Sequence, residues 1–171
     1  MAHETAGSKT ADNGMNRKLR GEQSAHYFRA IFDALTNPAL IVDGELRIQD
    51  YNLAAKPLFG ANPAMALHRL GGEAIQCIHA DLKGCGEANI CKDCIIRNSA
   101  MKAFIGKGVQ KELHKAELHR GNTKVRIELL ITSSRLPDIL PPRVLLVLED
   151  VTTLRTRHKS FHEPRRPRIH D

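Results

Sequence analysis

The fold of this chain is decided by residues 37–51, which read NPALIVDGELRIQDY. Residues 39–42 are continuously apolar, which predicts a short buried strand. Asp43-Gly44 is a strong signal for a hairpin turn. Residues 45–51 then alternate between apolar and polar side chains, as a second strand does. Asn37 precedes a proline and is therefore disfavoured in a helix, so an upstream helix must end here.

Elements on both sides of this hairpin follow from the same kind of pattern. Apolar residues at helical spacing predict a helix that begins at Ser24, and residues 1–23 before it are predicted to be a disordered tail. Short helical segments are predicted at 52–59 and 62–70, and a longer helix at 94–104. Three further strands are predicted at 109–118, 123–133 and 144–148. This order predicts an α+β domain with a five-stranded antiparallel sheet and helices on one face.

All four cysteines of the chain lie within 18 residues, from Cys77 to Cys94. The spacing is C-x7-C-x5-C-x2-C, with the other two at Cys85 and Cys91. Clustered cysteines that include a C-x2-C pair indicate a metal site or a redox pair. Glycines flank Cys85, so its backbone can adopt angles that other residues resist. Cys91 and Cys94 straddle the predicted start of the long helix, where amide donors stabilise thiolates.

Four thiolates can hold more than one kind of centre. Zinc takes four cysteines in a tetrahedron, and an iron–sulfur cluster takes four cysteine ligands as well. The spacing does not decide between them. A third alternative is a thiol switch in which Cys91 and Cys94 form a disulfide, although it leaves Cys77 and Cys85 without a role. His79, two residues after Cys77, is a possible substitute ligand, and its alternative is an ordinary surface histidine.

Composition bounds the location and the partners. The chain of 171 residues carries a net charge of +7, and no run of about 18 apolar residues suggests a membrane span. Residues 1–21 are polar and resemble neither a secretory signal nor an anchor. A cytoplasmic location is therefore expected, where thiols stay reduced. The C-terminal tail, residues 155–171, is basic and is read as a solubilising end, with nucleic acid as a less favoured partner.

The element order and three local patterns resemble the PAS domain family. The hairpin at 37–48 is similar to the opening PAS hairpin. Residues 51–60 are similar to the short helix that follows it, with Asn52, Leu58, Phe59 and Gly60 at the matching positions. Residues 147–152 resemble the end of the last PAS strand. The resemblance covers about residues 24–154, and the cysteine stretch, residues 77–94, resembles an insertion found in a bacterial subset with Gly-Cys-Gly and Cys-x2-Cys.

This resemblance implies a ligand-sensing domain without enzymatic activity of its own. PAS domains sense small molecules, light, oxygen or redox state, they commonly dimerise, and they signal through their terminal helices. No catalytic module is seen after residue 154, so the expected output is a protein partner acting in trans. The leading hypothesis is a cytoplasmic sensory protein that senses redox state, oxygen or a small ligand, and whose four-cysteine site either reads redox state or oxygen or fixes a loop beside the pocket. The alternative is a dimerisation module with structural zinc that senses nothing at the metal.

Overall fold

A computed structural model describes residues 8–153 of the chain. Its helices and strands are α1 (Ser8–Ala34), β1 (Ala39–Val42), β2 (Ile48–Tyr51), α2 (Gly71–Ala74), α3 (Ala80–Lys83), α4 (Ile95–Phe104), β3 (Val109–Arg120), β4 (Thr123–Arg135) and β5 (Val144–Asp150). Short 3₁₀ helices lie at Leu53–Phe59, Pro63–Ala66 and Asn89–Asp93. No helix in this part of the chain is both long and apolar enough to cross a membrane.

The five strands form one antiparallel sheet in the order β2-β1-β5-β4-β3. The two strands of the opening hairpin therefore lie at one edge, and the last strand lies at the centre between β1 and β4. A central strand needs apolar side chains on both faces, and residues 144–148 supply them. The predicted five-stranded α+β fold is confirmed.

The main core lies between one face of the sheet and the helices that follow the hairpin. Its buried side chains include Leu40, Ile48, Leu118, Leu129 and Ile131 from the strands. Ala100 and Ala103 of α4 are almost fully buried against them, and small side chains at these positions let α4 lie close to the sheet. This helix and the sheet form the two walls that hold the candidate site.

The opposite face of the sheet carries a smaller cluster under α1. Phe32 is buried against Ala39 and Ile41 of β1, with Leu145 and Val147 of β5 packed alongside. This contact is an addition to the predicted arrangement, in which helices cover one face. It follows from the alternation of β1, whose odd-numbered residues point away from the main core.

Among the element boundaries, the starts of α1 and β2 are the differences from the sequence predictions that have a clear local cause. The first helix begins at Ser8 rather than Ser24, so residues 8–23 are helical where a disordered tail was predicted. A packed helix end removes the nucleation cost, so the helix can extend from it toward the N-terminus. β2 begins at Ile48 rather than Glu45 because the Asp43 carboxylate accepts N–H bonds from Glu45 and Arg47, which closes a wider turn. The basic tail, residues 155–171, lies outside the described residues.

Candidate functional site

The side chains of all four cysteines line one cavity between α4 and the sheet. The cavity has a volume of about 70 Å³. Its other walls are mostly apolar and include Leu40, Val42 and Leu146 from the central strands. The predicted cysteine segment is therefore folded against the core of the domain, and a change at the thiols would be felt by the sheet and by α4.

Cys77 is held by the sheet itself. It forms an isolated antiparallel bridge with Leu118 of β3. The flanking N–H of Ile78 donates to the Glu117 carbonyl at 3.1 Å, and the N–H of His119 donates to the Gln76 carbonyl at 2.8 Å. Cys77 is thus an immobile point of the site, placed by backbone hydrogen bonds to a long strand.

Cys85 lies in the most irregular part of the segment. Gly84 and Gly86 have φ values of 92° and 99°, which a residue with a side chain rarely adopts. This confirms the reason predicted for the two glycines. The turn directs the thiol at Gly72, where an added Cβ atom would lie 2.7 Å from the Cys85 sulfur. No side chain larger than hydrogen fits at residue 72 without moving that sulfur.

Cys91 and Cys94 lie at a helix start, as the sequence predicted. Cys91 belongs to the 3₁₀ helix Asn89–Asp93, and Cys94 is the residue that precedes α4. The Asn98 amide donates to the Lys92 carbonyl at 2.7 Å, which ties the loop between the two cysteines to the first turns of α4. Both thiols are thereby fixed relative to the helix.

The surroundings of Cys85 and Cys94 favour the protonated form of these two thiols. Burial raises the pKa of the Cys85 thiol above its ordinary value, and the other three cysteines raise it further, while the Gly72 N–H opposes this rise. Burial also raises the pKa of Cys94, against the N–H groups of Arg97 and Ile96. A cation bound among the sulfurs would reverse this balance, because metal binding releases the thiol protons.

The four cysteines lie in one region of the fold, but their side chains do not enclose a position for a metal ion. All four thiols are free and partly buried, so none forms a disulfide. Across residues 8–153, no three histidine, cysteine or acidic side chains are close enough to enclose a metal ion. The donor set nevertheless suits a metal: four soft ligands face one cavity, and N–H groups point at two of them. Closure would require the thiols to move closer together, and the glycine-flanked turn at Cys85 permits movement there.

Two further residues of the site were not predicted from the sequence. His114 of β3 is half-buried, and burial lowers the pKa of its imidazole. Its position was readable, since it shares the inward face of β3 with Ala116 and Leu118. Arg97 of α4 also lines the cavity. The sequence feature that could have indicated Arg97 is its position three residues after Cys94, in the first turn of the helix.

The cysteines also border a second, more polar cleft on the other side of the segment. Its lining includes Cys77, Cys91 and Cys94 together with His79 and His114. The charged part of the lining is Asp93, Lys115, Glu117, Arg126 and Glu128. Arg126 pairs with Glu117 and lowers the pKa of that carboxyl. The cysteine segment therefore separates an apolar cavity from a polar cleft, and three of its thiols are reached from both.

A five-stranded antiparallel sheet in this order, with helices packed over one face, defines the class of PAS-like folds. The sequence agrees with the fold: a family model described as PAS domain matches residues 26–93. In sequence over these residues, and in fold, the chain is similar to PAS domains. The matched segment includes the hairpin and reaches into the cysteine stretch. No curated protein sequence matches the chain.

Solved structures resemble the chain in fold at low sequence identity. One structure of RsLOV is 17% identical, with a TM-score of 0.50 over 75% of this chain and 68% of that chain. The PAS domain of an HTR-like protein from Haloarcula marismortui is 14% identical, with a TM-score of 0.47 over 75% of this chain and 98% of that chain. The photoactive yellow protein domain of the sensor histidine kinase Ppr from Rhodospirillum centenum is 18% identical, with a TM-score of 0.43 over 71% and 91%.

Proposed function

We propose that this chain is a sensory PAS protein in which Cys77, Cys85, Cys91 and Cys94 bind one metal centre, either an iron–sulfur cluster or zinc. One observation supports the proposal above all: the four thiols face a single cavity walled by α4 and the central strands. Thiolates are the ligands that both centres prefer. When bound, the centre supplies redox or oxygen sensitivity if it is a cluster, and cross-linking of the segment if it is zinc.

The route from such a centre to an output is short. Cys94 directly precedes α4, and the Ser133 hydroxyl of β4 donates a hydrogen bond of 2.9 Å to the Ser99 carbonyl of that helix. Ser133 in turn accepts the Val109 N–H at 3.1 Å. A change in how Cys94 is held therefore acts on the start of β3 and on β4. The signal would then pass to a protein partner, by analogy with other PAS domains.

A second function is favoured by the surface of α1. Three of its apolar side chains are exposed, with relative exposures of 70% for Tyr27, 47% for Phe28 and 52% for Ile31, and Leu35 directly after the helix is 41% exposed. Such a patch suits protein contact, including contact with a second copy of the chain. In this version the protein is a dimerising module, the centre is structural zinc, and nothing is sensed at the cysteines. It is not an enzyme in either version.

Metal analysis of protein purified without oxygen tests the proposal. A cluster predicts iron and sulfide in equal amounts together with a visible absorption band that is lost in air. The structural alternative predicts one zinc per chain that remains bound in air. Protein that contains neither metal, and that takes up neither after reconstitution with iron and sulfide or with zinc, would refute the metal centre in both versions.

A further inference from the structure

Arg97 reaches from the first turn of α4 to the segment that carries Cys85. Its guanidinium lies against Gly86, where an added Cβ atom would be 2.9 Å from Nη1 and 3.2 Å from Cζ. The same side chain lines the cavity together with all four cysteines. Arg97 therefore crosses from one ligand-bearing segment to the other. Gly86 and Arg97 are 11 residues apart in sequence, and both line this cavity.

The guanidinium has no hydrogen bond or ion pair with any residue between 8 and 153. An arginine is always charged and carries five N–H donors. Its side chain is only partly exposed to water here. Keeping a cation there without a partner is unfavourable, because the lost hydration is not replaced. The donors thus remain free for a group that enters the cavity.

The proposed centre is a group of the required charge. Zn²⁺ with four thiolates carries two net negative charges, and an iron–sulfur centre on four thiolates is also an anion. The apolar walls at Leu40, Val42 and Leu146 cannot stabilise such an anion. N–H groups at Gly72, Ile96 and Arg97 offset only part of this charge. Neutralising the rest of this negative charge requires a cation beside the centre.

We propose that Arg97 is the counter-ion of the four-cysteine centre, and that Gly86 lacks a side chain so that the guanidinium can lie beside Cys85. This inference rests on the proposed metal centre and adds a residue outside the cysteine motif. Arg97 acts as a positioning residue: it holds the Cys85 turn near α4 and neutralises charge, and it is not itself a metal ligand.

Zinc affinity, measured by competition with a chromophoric chelator, tests the role of the charge. Arg97→Gln is expected to weaken zinc binding about 10- to 100-fold, the usual effect of removing a residue that supports metal ligands. Arg97→Lys, which keeps the charge, should retain most of the affinity. The control is Arg126→Gln, which removes the same charge from the neighbouring cleft and should bind zinc like the wild type.

For a cluster-loaded protein, Arg97→Gln should also lower the reduction potential, because an added electron then meets less positive charge.

Gly86→Ala tests the position of the guanidinium without removing it. The added methyl group would lie 2.9 Å from Nη1, so the guanidinium must shift, and zinc binding should weaken relative to the wild type. In the Arg97→Gln background the same change should have little further effect. The backbone strain at residue 86 is common to both backgrounds and cancels in this double-mutant cycle.

The outcomes separate the two proposals. If the wild type binds neither zinc nor a cluster, both the metal centre and its counter-ion are wrong. If the wild type binds zinc and Arg97→Gln binds it equally well, or if Arg126→Gln loses as much, the centre stands and the role of Arg97 is wrong. Circular dichroism of each metal-free variant confirms that it is folded. Should Arg97→Gln fail to fold, Arg97→Lys and Gly86→Ala carry the same comparison.

Discussion

At the scale of single residues, the site depends on a contact in which one partner is a glycine and contributes only its backbone. Gly72 meets the Cys85 sulfur through its backbone, and an added Cβ atom would lie 2.7 Å from that sulfur and 3.6 Å from the Cys77 Cβ atom. Such a distance is too short for two heavy atoms that are not bonded. The sulfur lies on a glycine-flanked turn, so it can move aside without disturbing the core.

We therefore expect Gly72→Ala to displace Cys85 and to weaken metal binding by about tenfold or more, while the metal-free protein remains folded. Gly71→Ala is a matched control one residue earlier in α2, because an added Cβ atom there meets nothing within 4 Å. Zinc competition and thermal melts of both variants measure the difference. Equal affinities for the two variants would show that Cys85 does not approach the metal from this position.

At the scale of elements, the junction between α1 and the sheet is held by one buried amide. The Asn52 side chain is fully buried. Its Oδ1 accepts the N–H groups of Ala39 at 2.9 Å and Ala55 at 3.1 Å. Its Nδ2 donates to the carbonyls of Leu35 at 3.2 Å and Asn37 at 3.0 Å. Asn52 thus joins the end of α1, the start of β1 and the 3₁₀ helix Leu53–Phe59.

Asn52→Ala should lower the free energy of unfolding by about 3 kcal/mol, because it leaves buried donors and acceptors without partners. Urea denaturation of the metal-free protein measures this loss. Asn89→Ala is the control, since Asn89 is exposed on the cysteine segment. A loss of less than about 1 kcal/mol for Asn52→Ala would mean that water replaces the amide and that the junction does not depend on it.

The elements that the sequence predicted well are those whose signals are local. The run 39–42, the Asp43-Gly44 turn and the alternation of residues 123–133 each specify a strand without reference to the rest of the chain. The cysteine spacing likewise predicted that the four thiols belong together. What it could not predict depends on contacts across the fold: the Gly72 contact, the Arg97 guanidinium against Gly86, and the contact of Phe32 with the far face of the sheet. None of these contacts produces a periodic pattern of residues that could be recognised in the sequence.

At the scale of the whole molecule, the core does not depend on the cysteine segment. The main cluster is built from the strands, α4 and the residues around 53–75, and Cys77 is the only cysteine packed against it. A small zinc domain, by contrast, owes its fold to its metal ligands. Here the sheet should remain folded when the centre is absent, and this leaves the centre free to change state.

Two changes should remove the proposed centre without altering the core: chelation of the wild type and Cys85→Ser. Bound metal stabilises the folded state by about 2.7 kcal/mol when its concentration is 100 times Kd, so chelation should lower Tm by roughly 10 °C. The far-UV circular dichroism at 20 °C should stay unchanged, since the sheet and α4 remain packed. Cys85→Ser should show the lower Tm from the start and should not respond to chelator.

Loss of the folded spectrum in both cases would contradict this expectation and would show that the centre is structural. A single result of that kind would favour the dimerisation module with zinc over the sensor, because a domain that unfolds without its metal has no metal-free state to report. Retention of the fold has the opposite consequence. It means that α4 and β4 can exist with Cys94 either held by the centre or released, and a sensor requires these two states.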